Sequence, residues 1–181
     1  MNKLLILTVL LYFFAGKITA QKKTNQINLG PEIGIRVGTG GEPYTIGVGV
    51  IGKYLHGISE AGQLSFTTGY LLFPKEDEFS GESFKRRFSV IPVLIGYRHY
   101  FNDVYIEPQL GFGSYGEKTS GFSDGSSTSL NKTTFSYAFG AGLVRDKIDL
   151  SIRFQEGDFQ FGNFSFFGFR VAYNISTGKK Q

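Results

Sequence analysis

The sequence predicts an all-β fold: an eight-stranded antiparallel up-and-down transmembrane β-barrel preceded by a signal peptide. Three observations support this. Apolar and polar residues alternate with a period of two, the alternating segments are long, and glycine and aromatic residues are abundant. The 181 residues include 25 glycines, 19 phenylalanines and 10 tyrosines, and no cysteine. Glycine at this density opposes helices, by about 1 kcal/mol per residue relative to alanine. The lack of cysteine excludes disulfides, thiolate metal sites and cysteine nucleophiles.

The first twenty residues have the features of a secretory signal peptide. Lys3 supplies positive charge, residues 4–15 form an apolar run, and Ala20 is a small residue at a suitable cleavage position. The run is too short for a helix that spans about 30 Å of hydrocarbon. We therefore expect residues 1–20 to be removed and residues 21–181 to form one barrel domain. An uncleaved anchor helix is the less favoured alternative.

The charge balance argues against a nucleic-acid partner. The chain has 19 basic and 15 acidic residues, a net charge of +4, and two of the basic residues, Lys3 and Lys17, lie in the predicted signal peptide. The remaining excess is small and forms no long basic run. With 19% charged and 16% aromatic residues, the composition also argues against a disordered chain.

Eight segments show the alternation. They cover roughly residues 27–38, 44–54, 63–73, 88–101, 104–115, 133–144, 147–155 and 164–175. Strands of globular proteins average about five or six residues, whereas a tilted strand that spans a membrane needs about 9–11. The length of the segments therefore favours membrane-spanning strands.

Each segment has one apolar face and one mixed face. In the first segment, Ile33 and Ile35 belong to the apolar face, whereas Glu32 and Arg36 belong to the mixed face. The mixed face carries glycine, small polar residues and isolated charges. Charged residues predicted to pair there are Glu32, Glu107 and Asp149 with Arg36, Lys53, Arg98, Arg153 and Arg170.

A tight hairpin is predicted at residues 102–103, whose Asn-Asp composition suits a two-residue primed turn. This turn would pair Tyr100 with Tyr105 and would oppose Arg98 to Glu107, a favourable cross-strand pair. A slip of one residue would exchange the two faces, so the turn and the face pattern support each other.

A second tight hairpin is predicted at residues 145–146. It would pair Leu143 with Ile148 on the apolar face, although arginine is poorly suited to the positive φ of such a turn. The connection at residues 55–62 is also short.

Longer polar connections alternate with the short ones. The predicted long loops are residues 74–87, 116–132 and 156–163, and the short connection at 39–43 is the exception. Short turns at one end and long loops at the other are typical of outer-membrane barrels, whose long loops face outside the cell.

Alternation alone leaves two kinds of barrel open. A periplasmic lipocalin-like ligand-binding barrel would have an apolar lumen, whereas a membrane barrel has an apolar exterior. The membrane barrel is favoured because eight strands leave little room inside for large aromatic residues. The mixed face also has too few lysines and glutamates for a surface in water, and tyrosines near strand ends suit the membrane interfaces. On this basis arginine at Leu150 would meet lipid near the midplane, whereas arginine at Ser151 would overfill the lumen.

The inward charges are expected to form a packed structural network rather than a conduction path, since an eight-stranded lumen is filled by its own side chains. The predicted network residues are Glu32, Arg36, Arg98, Glu107, Asp149, Arg153 and Arg170.

With the export signal, long strands and outward apolar face established, the chain resembles the small outer-membrane β-barrel family of the OmpA/OmpX type. Residues 91–101 (IPVLIGYRHYF) and 104–111 (VYIEPQLG) are similar to the versions common in Bacteroidetes. The resemblance implies location in the outer membrane, insertion by the barrel-assembly machinery, a monomer, and a structural, adhesive or envelope-maintenance role.

Candidate catalytic residues are few, and we expect no enzyme, cofactor or metal. A lipid-modifying outer-membrane enzyme, the second alternative, would need a histidine near the outer loops. The two histidines, His56 and His99, are predicted at the opposite end, His56 in a turn and His99 on the apolar face. The acidic run at residues 76–78 lacks the spacing of a calcium loop.

A short basic run is the one candidate for binding an external partner. Lys85, Arg86 and Arg87 are predicted where a strand leaves a long outer loop. Side chains of this kind bind lipid phosphates, so contact with outer-membrane lipids and lipopolysaccharide is expected there.

Overall fold

The fold is a closed barrel of eight antiparallel strands, seen here in a computed structural model. The structure describes residues 25–37, 46–79, 82–120, 127–159 and 162–177, and at residues 76–79 and 82–84 it describes only the backbone. The strands are β1 (Gln26–Val37), β2 (Ile46–Gly57), β3 (Gly62–Phe79), β4 (Glu82–Phe101), β5 (Val104–Ser120), β6 (Ser127–Arg145), β7 (Ile148–Phe159) and β8 (Gly162–Ser176). Each pairs with its neighbours in sequence, and β1 pairs with β8 to close the barrel. The predicted fold class is confirmed, while the signal peptide and the connection at 39–43 lie outside the described residues. Among the described residues, no helix is long and apolar enough to cross a bilayer.

The apolar face points outward and the mixed face points into the lumen. Ile33 exposes 51% of its surface and Phe169 46%, whereas Glu32 exposes 1% and Arg170 3%. Water would favour the reverse arrangement, because exposed aliphatic rows and buried charges both cost free energy there. The predicted orientation is therefore confirmed, and the barrel is built for lipid outside rather than for an apolar ligand inside.

The hairpin between β4 and β5 has the predicted register. His99 pairs with Ile106 and Phe101 pairs with Val104, which leaves a two-residue turn. The first turn residue, Asn102, has φ of 62°, as the primed turns require, and asparagine tolerates this region better than most residues.

The hairpin between β6 and β7 differs from its predicted register by two residues. Arg145 pairs with Ile148 and Leu143 pairs with Leu150, so the turn residues are Asp146 and Lys147 rather than residues 145–146. Asp146 takes the positive φ, 57°, which suits aspartate and would strain arginine. A shift of two keeps every side chain on its face, so the predicted faces survive the error.

The three predicted long loops are wrong over most of their length, because paired strands continue into them; their residues 80–81, 121–126 and 160–161 lie outside the described residues. Pairing extends to Phe79–Glu82, to Ser120–Ser127 and to Phe159–Gly162. Strands β3 to β6 therefore reach 17–20 residues, against 12 for β1, β2 and β7. Where both faces of a hairpin meet water, no apolar alternation marks the strands, and polar sequence resembles a loop.

Candidate functional site

An apolar belt surrounds the barrel and defines where lipid meets protein. On β5 its outward residues run from Val104 to Phe112, and on β6 from Phe135 to Leu143. Rows of this length match the roughly 9–11 residues that a tilted membrane-spanning strand needs. Beyond Phe112 and Phe135 the outward residues are small or polar, so the remaining ends of these strands stand outside the hydrocarbon.

We call these outer ends of β3, β4, β5 and β6 the protruding sheet. It comprises residues 73–79, 82–90, 113–120 and 127–134. Within the described structure, β2 last pairs with β3 at Leu72, and β7 last pairs with β6 at Ser136. Over these residues, β3 and β6 therefore each have one backbone edge that pairs with no strand of the described chain.

Three basic residues, which we call the basic face, lie on the outward side of β4 and β5 in the protruding sheet, and the register places Glu76 of β3 opposite one of them, Lys85. Arg87 lies directly opposite Lys118, and Lys85 lies opposite Ser120 in the next outward row. All three side chains are exposed. Directly opposed like charges destabilise a strand pair, so an anion between Arg87 and Lys118 would stabilise this sheet.

The predicted lipopolysaccharide-binding run is divided between two faces. Lys85 and Arg87 share the outward face, whereas Arg86 faces the other way and lies 3.8 Å from Glu117 in an ion pair. Lys118 was missed because it falls in a segment that was predicted to be a flexible loop. Lys118 is recognised as part of this face only from the extended strand register, which places it opposite Arg87.

The basic face lies above the hydrocarbon, on the outer side of the lipid headgroups. Arg87 lies four residues beyond Ile91 and Lys118 lies six beyond Phe112 along their strands. At a rise of about 3.3 Å per residue and a tilt near 40°, these positions are on the order of 10–15 Å above the belt. The headgroup layer adds roughly 5–8 Å per leaflet, so the backbone at these positions lies beyond it, and the long side chains can extend back towards it.

In the half of the lumen nearest the short turns, Arg98 is the centre of an ion-pair network. Its Nη2 lies 2.8 Å from Glu107 Oε2 and its Nη1 lies 2.9 Å from Asp149 Oδ2. The guanidinium also lies 3.7 Å from the ring centroid of Tyr105. Lys53 donates to the same Glu107 oxygen at 2.9 Å. The network joins β2, β4, β5 and β7 across the lumen.

A second ion pair lies further up the lumen. Arg153 donates to both carboxylate oxygens of Glu32, at 2.9–3.1 Å, and to Gln155 Oε1 at 2.5 Å. The two-pronged contact suits a planar guanidinium and a carboxylate. It fixes β7 against β1 through the interior, although these strands are not neighbours in the sheet.

The predicted network residues divide into two groups. Six of them, Glu32, Arg98, Glu107, Asp149, Arg153 and Arg170, are buried in the lumen. Arg36 is half-buried at the outer end, with its guanidinium 4.9 Å from the Phe164 ring centroid. The structure adds Tyr105, which donates to Asp149, and Gln109, which donates to Glu107. Both could have been identified from the alternation along β5, because they share its inward face with Glu107.

The outer half of the lumen is filled by aromatic rings, which the sequence did not predict. Phe164 stacks on Phe88 at 4.0 Å and meets Phe73 edge-on at 5.3 Å. Gly34 and Gly47 face Phe73, and a Cβ at either would overlap its ring. Aromatic packing above and ion pairs below therefore occupy both halves of the lumen.

Both histidines lie near the short turns and outside the lumen. His56 belongs to β2 rather than to the predicted turn, and its ring stacks beside Tyr54 at 6.5 Å. His99 lies on the outward face, with Nδ1 3.2 Å from the Tyr97 hydroxyl. Among the described residues, no three His, Cys, Asp or Glu side chains form a group that could hold a metal ion.

Comparison with solved structures identifies the fold. The chain matches Ail, the attachment invasion locus protein of Yersinia pestis, with a TM-score of 0.63 and 17% identity over 86% of this chain and 100% of that one. It matches Neisserial surface protein A with a TM-score of 0.54 and 13% identity over 83% and 96%. The N-terminal barrel domain of Pseudomonas aeruginosa OprF matches with a TM-score of 0.51 and 9% identity over 85% and 100%. This is the fold of small outer-membrane β-barrels. No family model and no curated protein matches the chain.

Proposed function

We propose that the chain is an integral outer-membrane barrel of the OmpA/OmpX type, without catalytic activity, that presents the protruding sheet at the cell surface in a structural or adhesive role. The observation that carries this proposal is the continuation of four paired strands beyond the apolar belt. We further propose that the barrel is a monomer inserted by the barrel-assembly machinery.

The protruding sheet supports adhesion through its backbone. Unpaired strand edges can bind an extended segment of another protein by adding a strand. Residues 127–134 of β6 provide such an edge within the described structure, and serine and threonine dominate it. The name of the similar Yersinia protein, attachment invasion locus protein, agrees with this role.

Orientation is tested by an epitope inserted at either end of the barrel. An epitope between Ser120 and Ser127 should be bound by antibody on intact cells, because the long hairpins face outward. The same epitope between Asn102 and Asp103 should be bound only after the outer membrane is permeabilised. Detection of the second epitope on intact cells, or of neither epitope after correct membrane fractionation, would contradict the proposed topology.

We propose that the basic outward face, Lys85, Arg87 and Lys118, binds phosphate or sulfate groups. Its height favours the phosphates of lipopolysaccharide. Sulfated polysaccharide is the other source of the same chemistry, and a structure of the similar Yersinia protein contains a heparin analogue, sucrose octasulfate.

The double variant Arg87→Gln/Lys118→Gln should weaken lipopolysaccharide binding by about 30-fold at low salt, from roughly 1 kcal/mol per cation at a lipid surface. The matched control is Arg145→Gln/Lys147→Gln, which removes the same charge at the short-turn end. Binding of micelle-embedded protein is measured with intact lipopolysaccharide, dephosphorylated lipopolysaccharide and heparin. Loss confined to intact lipopolysaccharide identifies the phosphates, and loss confined to heparin identifies sulfated polysaccharide. Equal behaviour of both variants would refute the site.

A further inference from the structure

One buried cation in the lumen is poorly matched by the protein around it. The Arg170 side chain is 2% exposed, yet neither Nη1 nor Nη2 has a hydrogen-bond partner within the described structure. Its ion pair, from Nη2 to Asp149 Oδ2, is 3.8 Å long. A buried guanidinium of this kind is costly unless something else accepts its hydrogen bonds.

The carboxylate beside Arg170 is already engaged by other donors. Asp149 Oδ2 accepts from Arg98 Nη1 at 2.9 Å and from Asn28 Nδ2 at 3.1 Å, and Oδ1 accepts from the Tyr105 hydroxyl at 2.7 Å. These contacts hold the carboxylate away from Arg170.

The other two buried carboxylates are also engaged. Glu32 lies opposite Arg170 in the β1–β8 register, but both of its oxygens accept from Arg153. Glu107 accepts from Arg98, Lys53 and Gln109. The three buried carboxylates of the described lumen thus all have closer partners than Arg170.

A count of the buried charges also leaves one positive charge in the lumen unbalanced. The buried charged residues of the described structure are Lys53, Arg98, Arg153 and Arg170 against Glu32, Glu107 and Asp149. With every group ionised, the lumen carries one positive charge in excess, and Arg170 is the cation with the longest ion pair. A second donor without a partner, Asn174 Nδ2, lies in the same region, because Asn174 Oδ1 accepts from the Asn28 amide that contacts Asp149.

We propose that the lumen holds one small inorganic anion of the chloride class, bound by the Arg170 guanidinium. A single negative charge balances the excess, and the two unpartnered nitrogens of Arg170 supply its hydrogen bonds. The anion is a structural component of the barrel. The site is independent of any role of the protruding sheet, since it lies inside the membrane-spanning part of the barrel.

The test compares salts at equal ionic strength, so that general screening is constant. Full-length mature protein is refolded in zwitterionic micelles and unfolded with urea in sodium chloride, bromide or gluconate. The urea midpoint should be higher in either halide than in gluconate, and the difference should saturate with halide concentration. Arg170→Met should abolish that difference, whereas the matched surface variant Arg145→Met should retain it.

A crystal grown in bromide gives an independent readout on unmodified protein. The bromide anomalous signal should lie at the Arg170 guanidinium, and this holds even if Arg170→Met fails to refold. The proposal is wrong if the wild-type midpoint is the same in all three salts, if Arg170→Met keeps the halide effect, or if the crystal shows only water beside Arg170.

Discussion

Replacing Arg98 with methionine should destabilise the barrel by about 3–5 kcal/mol, the usual cost of removing one partner from a buried ion pair. Arg98 is completely buried and contacts both Glu107 and Asp149 at under 3 Å. Methionine fills much of the same volume, so the loss is mainly electrostatic. It would leave Asp149 with only the distant Arg170 as a cation, and Glu107 with only Lys53.

The measurement is urea unfolding of the refolded protein in micelles, followed by circular dichroism because the chain has no tryptophan. Arg145→Met is the control. It removes the same charge from an exposed position beside a turn, and it should change stability by no more than about 0.5 kcal/mol. If Arg98→Met were as mild as this control, the ion-pair network would not stabilise the barrel.

The two faces of the barrel could be predicted from sequence because lipid favours apolar side chains on one face, whereas the lumen accommodates polar and charged side chains on the other. Ile33 and Glu32 differ by one position and lie on opposite faces, as their parity indicates. Arg98 and Glu107 meet because a two-residue turn fixes their distance from the end of the hairpin. Local turn chemistry and the period of two were sufficient here.

The outer ends of the strands could not be predicted by the same rule, because both faces of the protruding sheet meet water beyond the packed rings of Phe73, Phe88 and Tyr115. Arg87 and Lys118 are distant in sequence, and only a strand pairing that has no hydrophobic signal brings them together. The aromatic filling of the lumen was missed for a different reason. Phe164 and Phe166 share parity with Arg170, but the rule that apolar residues face lipid does not hold where rings fill the lumen.

Arginine at Leu150 should cost about 2–4 kcal/mol if this residue meets lipid near the bilayer midplane. Leu150 is exposed on the outward face and pairs with Val171, the central residue of the outward row on β8. Arginine at Ile175, near the end of the same row, should cost only about 0–1 kcal/mol, because its charge can reach the interface. Urea unfolding in lipid bilayers measures both variants under the same conditions.

A third variant distinguishes lipid from lumen at the same depth. Ser151 is next to Leu150 but faces inward, directly opposite Arg170. Arginine there should destabilise the barrel through crowding and like-charge repulsion, in micelles as much as in bilayers. The penalty at Leu150 should instead fall when a thin micelle replaces the bilayer, since micelles let water reach the charge. Equal tolerance of arginine at Leu150 and Ile175 in bilayers would mean that hydrocarbon does not surround this face.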